Sequence, residues 1–259
     1  MRGRAGGGFF AVAEAVAWRQ IYKYFTNPAF LAPAFFPIFF FIAFAGGLTR
    51  VGDVPGFDYS GGYIAFQYVW ALLQAVAMGG AFTGFSIAGD FENGFASRLL
   101  LAASNRSGIV LGYTIASLAR VTVTGVLVTA LALLVGMPIS GGFDLFGLIG
   151  LAVLVNVAAT LFGAGVAMLM RTQQAGPVIR TPIFLVLFLA PVFVPLNLLS
   201  GWLETIARYN PFTTILDAAR GYLVGEPTSA LPAYAIGAAL VAAFALWALY
   251  GLRRAERAG

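Results

Sequence analysis

The chain has 259 residues, of which 60% are hydrophobic and only 10% charged. A soluble domain is about a quarter charged, so too few charges are present to cover a soluble particle, and the chain must meet lipid. It holds no Cys and no His. That removes disulfides, thiolate nucleophiles, Cys/His zinc sites and imidazole bases, and it makes the net charge of +5 first a question of membrane sidedness rather than of nucleic acid.

In chain order, Met1-Arg2-Gly3-Arg4 opens the sequence, and Gly6-Gly7-Gly8 reads as a flexible tail. Glu14, Arg19, Gln20 and Lys23 interrupt any signal-peptide core, so no cleavable leader is expected. Residues 9–26 carry apolar side chains at Phe9, Val12, Ala13, Val16 and Ala17, with cations toward the end, which predicts a helix lying in the membrane interface. A bilayer core of about 30 Å needs about 20 apolar residues at 1.5 Å each. Six stretches meet this: 29–48, 63–87, 109–135, 146–170, 181–199 and 231–252. Between the second and third lies a polar connection, 90–107, with a short helical core at 95–103. Before the last span, residues 200–227 form two amphipathic pieces around Pro211, with Glu204/Arg208 and Asp217/Arg220 spaced to pair on helix faces. The expected fold is therefore all-α: one polytopic domain with six transmembrane helices, an N-terminal interfacial helix and short external helices.

Lysine and arginine placement sets the orientation. With the N-terminus inside, the cytoplasmic segments collect Arg2, Arg4, Arg19, Lys23, Arg98, Arg106, Arg171, Arg180, Arg253, Arg254 and Arg257, against Arg50, Arg208 and Arg220 outside. Both termini are thus expected in the cytoplasm.

The one lysine, Lys23, follows Tyr22, so no Walker A phosphate loop can form. Ser60-Gly61-Gly62 and Ser140-Gly141-Gly142 read as external turns. No predicted span holds an Asp or Glu, which argues against an intramembrane proton relay. Arg120 is the one charge at span depth. It is expected to snorkel, to pair with helix carbonyls or neighbours such as Ser117 and Thr124, or to form a polar seam between subunits. Gln67, Gln74 and Asn156, the last four residues from Thr160, either glue helices or line a path. Gly80/Gly84 and Gly108/Gly112 permit close helix approach. Pro33, Pro37, Pro191 and Pro195 are expected to kink their helices.

Two segments carry a resemblance. The run Asp90-Phe91-Glu92-Asn93-Gly94-Phe95-Ala96-Ser97-Arg98-Leu99-Leu100 continuing to Arg106 resembles the loop after the second span of type-2 ABC transporter permeases. It matches at Glu92, Gly94, Phe95, Arg98, Leu99, Leu100 and Arg106, with Ala103 where the family usually has Pro. The run from Asn210 to Gly225 is similar to the family's second signature, matching at Asn210, Pro211, Phe212, Thr213, Asp217, Arg220 and Gly225. The Gly94-Phe95 and Arg98-Leu99-Leu100 pattern is most similar to the daunorubicin and multidrug-resistance exporter branch.

The resemblance implies a non-catalytic permease subunit of an ATP-driven exporter in the cell membrane. It would work with a second permease copy and two separate ABC ATPase subunits, which would hold the ATP and Mg. The 90–107 loop would couple to the ATPase, and the 210–225 motif would close the external end. The cargo would be hydrophobic or amphipathic: a drug, a lipid or a lipid-linked glycan. Polysaccharide and lipo-oligosaccharide exporters share the architecture. An ATP-independent transporter or channel is a further alternative, as is an enzyme on lipid-linked sugars, although Asp53, Asp58, Asp144 and Glu204 form no recognisable constellation. No cofactor, metal or nucleic-acid site is read in the chain.

Overall fold

The computed structural model describes residues 8–27, 32–103, 105–138 and 144–257. The expectations on Arg2, Arg4, Gly6, Gly7 and Ser140-Gly141-Gly142 fall outside these residues, and Pro33 lies among side chains that are not described. The described chain is all helix and turn. Its elements are α1 (Phe9–Thr26), α2 (Ala32–Gly47), α3 (Gly62–Glu92), α4 (Phe95–Ala102), α5 (Ser107–Leu134), α6 (Leu145–Met170), α7 (Ala175–Phe188), α8 (Gly201–Tyr209), α9 (Pro211–Val224) and α10 (Ala230–Arg257), with short 3-10 turns at Thr49–Asp53 and Leu196–Leu198.

Four helices, α3, α5, α6 and α10, are long and apolar enough to cross a membrane. The apolar helices at the first and fifth expected spans, Phe35–Gly47 and α7, are shorter. At 14 residues, α7 is about 21 Å long, short of a bilayer core. It starts six residues before the expected span and stops at Phe188. Pro191 has no N–H to give to the carbonyl of residue 187, and its ring would collide there. Pro191 and Pro195 therefore follow the end of the helix rather than kinking it, and a non-helical stretch runs from 190 to 195. Pro37 and Pro182 lie in helix interiors.

The central helix is α3: 83% of its most apolar window is buried, against 22% for α10. It packs along α6 through glycine. A Cβ added at Gly84 would lie 2.7 Å from the backbone of Gly163, and one at Gly80 would lie 2.8 Å from Asn156 O. The second glycine pair serves α1. A Cβ at Gly108 would meet Phe9 O at 2.6 Å, and one at Gly112 would meet Ala13 O at 2.6 Å. So α1 runs along the first half of α5 with backbones nearly touching.

This changes the reading of α1. Its apolar residues Val12, Ala13, Val16 and Ala17 face the protein, whereas Phe10, Trp18, Tyr22 and Phe25 form the exposed side. Its polar residues Arg19, Gln20 and Lys23 are turned inward onto α3.

Candidate functional site: a polar hub, a coupling helix and a bound non-helical stretch

Asp90 lies in the last turn of α3 and is 1% exposed. A lone carboxylate there would be costly, and such a charge persists only when paired and hydrogen-bonded. Arg19 supplies both terminal nitrogens, Nη1 to Oδ2 at 2.9 Å and Nη2 to Oδ1 at 3.0 Å. Gln20 Nε2 donates to Oδ2 at 2.7 Å, Tyr113 Oη donates to Oδ2 at 2.7 Å, and Lys23 Nζ stands 3.5 Å from Oδ1. Ser86 donates to Gln20 Oε1 at 3.0 Å. One carboxylate thus joins α1, α3 and α5.

The chain then reverses at Gly94, whose φ of 69° suits a residue without Cβ, and enters α4. Phe95 lies under Arg19, whose guanidinium carbon is 3.5 Å from the ring centroid, so the same arginine ties α4 to the hub. Ala96 and Leu100 are buried and Leu99 is half-buried, while Ser97, Arg98 and Leu101 face outward. The motif leucines 99 and 100 anchor α4 to its own bundle. The surface left to a partner is Arg98 and Leu101, the latter 76% exposed. Arg106 ties off the far end: Nε donates to Leu100 O at 2.9 Å and Nη1 lies 3.4 Å from Glu256 of α10.

Glu92 turns the other way. Its carboxylate accepts from Thr172 Oγ1 at 2.7 Å, Gln173 N at 2.9 Å and Gln173 Nε2 at 2.7 Å. It is therefore bonded to the turn between α6 and α7 from an exposed position. The residue beside α4 is fastened to the segment that starts α7.

The second motif sits at the other end of α7. Asn210 caps α9 by accepting from Phe212 N at 3.0 Å, and its Nδ2 donates to Val186 O of α7 at 2.7 Å. Pro211 takes the first helical position and Gly225 ends the helix at φ 83°. Arg220 is 4% exposed. It lies 3.8 Å from Asp217, as its spacing predicts, but its main contacts are elsewhere. Nη1 donates to Pro191 O at 2.9 Å and Nη2 to Val192 O at 3.5 Å, and the guanidinium carbon is 3.3 Å from the Phe66 ring centroid. Gln67 Nε2 donates to the same Val192 O at 3.0 Å and to Tyr63 Oη at 2.8 Å. The carbonyls of Pro191 and Val192, just past the end of α7, are thus satisfied by side chains from α3 and α9. Thr213 is buried, and its hydroxyl has no hydrogen-bond partner among the described residues.

Both motifs occur, at opposite ends of one helical bundle, in a chain with four membrane-length helices. Residues 12–224 match the ABC-2 type transporter family. The chain belongs to that family. It is also similar to the daunorubicin resistance ABC transporter permease protein DrrB1 of Streptomyces coeruleorubidus, 24% identical over 199 residues that cover 75% of this chain and 67% of that protein. The protein is a polytopic membrane permease of an ABC transporter, the transmembrane component rather than the catalytic one.

Within this ABC-2 permease the intramembrane polar residues divide in two. Asn156 Nδ2 donates to Val76 O at 2.8 Å and Ser117 Oγ at 3.1 Å, and Thr160 Oγ1 donates to Ser117 Oγ at 3.0 Å. Arg120 donates to Gly79 O at 3.1 Å and to Thr83 Oγ1. The arginine does take a helix carbonyl, but Ser117 serves α6 instead. These contacts glue α3, α5 and α6. Gln74 differs: it is fully buried, yet neither of its amide atoms has a partner among the described residues.

Sequence reasoning singled out the run from Glu92 to Arg106 and missed the carboxylate beside it. Asp90, Gln20, Lys23 and Tyr113 were not singled out as site residues. The signal available was the cluster of Arg19, Gln20 and Lys23 on one stretch of helix, two cations against the single acid Glu14.

Proposed function

We propose that the chain is the permease of an ATP-driven exporter in the cell membrane. Two copies work with two separate ABC ATPase subunits, which bind the ATP and Mg and hydrolyse the ATP. Both termini and α4 face the cytoplasm, and α8 and α9 face outside, in keeping with the arginine distribution. The cargo is a hydrophobic or amphipathic molecule, a drug, lipid or lipid-linked glycan, leaving from the cytoplasm or inner leaflet. The relative's printed name, a daunorubicin resistance permease, supports the drug among these.

The observation that carries the reading is Glu92 bonded to Thr172 and Gln173. A push on Arg98 and Leu101 of α4 by the ATPase is transmitted through Glu92 to the start of α7. At the far end of α7, Asn210 and Arg220 hold the carbonyls of Val186 and Pro191. The permease contributes two packings of similar stability, which nucleotide on the partner biases.

The test is vesicle transport with the partner ATPase. ATP-dependent cargo movement is expected. Arg98→Ala is expected to reduce co-purification of the ATPase and transport together, while the protein still inserts and folds. Glu92→Ala is expected to keep the ATPase bound but to uncouple its hydrolysis from transport. Transport by the permease alone without nucleotide, or full coupling in the Glu92→Ala, Arg98→Ala double variant, would overturn the reading.

A further inference from the structure

An elongated groove of about 490 Å³ is cut between α3, α5 and α6. Its floor includes Leu72, Val76, Val121, Gly125, Leu148 and Ala152. Along α5 it runs from Leu118 to Leu133, about 22 Å at 1.5 Å per residue. It lies in the half of the bundle that carries α9, away from α4. Its origin is plain from the packing. The helices α5 and α6 are joined where Ser117 meets Asn156 and Thr160, and from that contact toward α9 they part.

Three hydroxyls line the groove, and none is offered to it. Thr122 Oγ1 donates to Leu118 O at 2.9 Å and Thr129 Oγ1 donates to Gly125 O at 2.8 Å, both within their own helix, and Tyr68 Oη pairs with Thr129 Oγ1 at 2.9 Å. The wall that remains is hydrocarbon. Its rim, Val126, Ile149 and Val153, is exposed on the flank of two membrane-length helices.

We infer that this groove is a binding site for one acyl chain of a bilayer phospholipid in the leaflet on the α9 side. Four observations select that occupant. The groove runs along the span axis and is longer than the roughly 15 Å depth of one leaflet's hydrocarbon, half of the bilayer core. It opens sideways to lipid along its length, so its occupant enters from the bilayer. Among the described residues it presents no unpartnered side-chain hydroxyl, so what it recognises is hydrocarbon. It is recessed between three helices, so a second copy laid across it would bridge the rim and leave a void, with the packing loss that voids carry, whereas a flexible chain fills it. Gly125 keeps the floor open at mid-helix, where alanine would favour the helix more. A Cβ there would meet only Leu72 Cδ1, at 3.4 Å. The bound chain acts as a wedge that props α5 from α6 above the Ser117 contact. The inference needs only that the chain is membrane-embedded; it is independent of the exporter reading.

The test is native mass spectrometry of the full-length protein extracted in mild detergent from phosphatidylcholine and phosphatidylethanolamine vesicles, together with thermal unfolding before and after delipidation. The wild type is expected to retain a phospholipid adduct and to lose thermal stability on delipidation. Gly125→Leu fills the floor and is expected to lose the adduct and to be insensitive to delipidation. Gly125→Ala, which improves the helix without filling the groove, keeps the wild-type behaviour. Val126→Trp covers the mouth from an exposed position, so it tests the site even if the glycine variant misfolds, and it too is expected to lose the adduct. An adduct unchanged in Gly125→Leu and Val126→Trp overturns the site. Because the chain has no cysteine, Thr122→Cys gives a single reporter. Its disulfide cross-linking to a second copy in vesicles would assign the groove to a subunit interface instead, and an adduct of non-lipid mass would assign it to cargo.

Discussion

Arg19 sits over the ring of Phe95, its guanidinium carbon 3.5 Å from the centroid, while its two terminal nitrogens hold the carboxylate of Asp90. One side chain of α1 therefore fixes both the end of α3 and the start of α4. Helix α4 is thus tied by one cation–ring contact to the joint of α1, α3 and α5 that has a carboxylate at its centre.

Asp90→Ala removes that centre. It leaves Arg19, Lys23 and Tyr113 facing a vacated site, a situation that costs about 3 kcal/mol when one partner of a buried pair is deleted. A clear drop in melting temperature in detergent is expected. A double-mutant cycle with Arg19→Leu checks the cause: the double variant is expected to lose less than the two single losses combined. Additive losses would mean that the two side chains do not act as a unit.

Arg220→Lys keeps the charge and loses the fork. A single ammonium cannot reach Pro191 O and Val192 O while covering Phe66 as the guanidinium does. A loss of about 2 kcal/mol is expected from a buried charged hydrogen-bond site left partly unmet. Protease accessibility of residues 190–200 is expected to rise with it. An unchanged cleavage pattern would show that the stretch is held by other contacts.

Gly84→Ala tests the α3–α6 seam. The new methyl would lie 2.7 Å from the Gly163 backbone, so the helices must part, at about 1–3 kcal/mol for overpacking. Gly46→Ala is the control, because nothing lies within 4 Å of a Cβ there. The first is expected to unfold earlier on heating and the second to match the wild type. Equal melting would mean that the glycine contact is not what sets the seam.

The natural absence of cysteine makes sidedness directly measurable. Ser97→Cys on α4 and Thr205→Cys on α8 are both exposed positions. An impermeant maleimide is expected to label Thr205→Cys on intact cells and Ser97→Cys only in inverted vesicles. Labelling of both from the same side would overturn the topology.

Much of this architecture is legible in the residues themselves. The start of α4, the break between α8 and α9 and the end of α9 follow from Gly94, Asn210-Pro211 and Gly225, which stop and start helices by local chemistry. The spans at α5, α6 and α10 begin within two residues of expectation because their polar flanks are sharp. The fifth was misjudged because residues 181–199 are uniformly apolar, and hydropathy does not register that Pro191 forbids the helix from continuing. The inward cations of α1 were invisible for another reason: Arg19 and Asp90 are 71 positions apart, and an acid in a polar run reads as solvated until the helix that covers it is placed. Arg220 was located through its motif, but its main acceptors are backbone atoms, which carry no sequence identity to read.

The carbonyls of Pro191 and Val192 are held by the tips of Gln67 and Arg220 rather than by the next helical turn. A helix yields its bonds in a cooperative run, whereas a side chain swings away by rotation about its own single bonds. With Asn210 on Val186 O as well, the chain leaving α7 is held by three side-chain rotamers, and its stiffness does not depend on the length of the helix behind it.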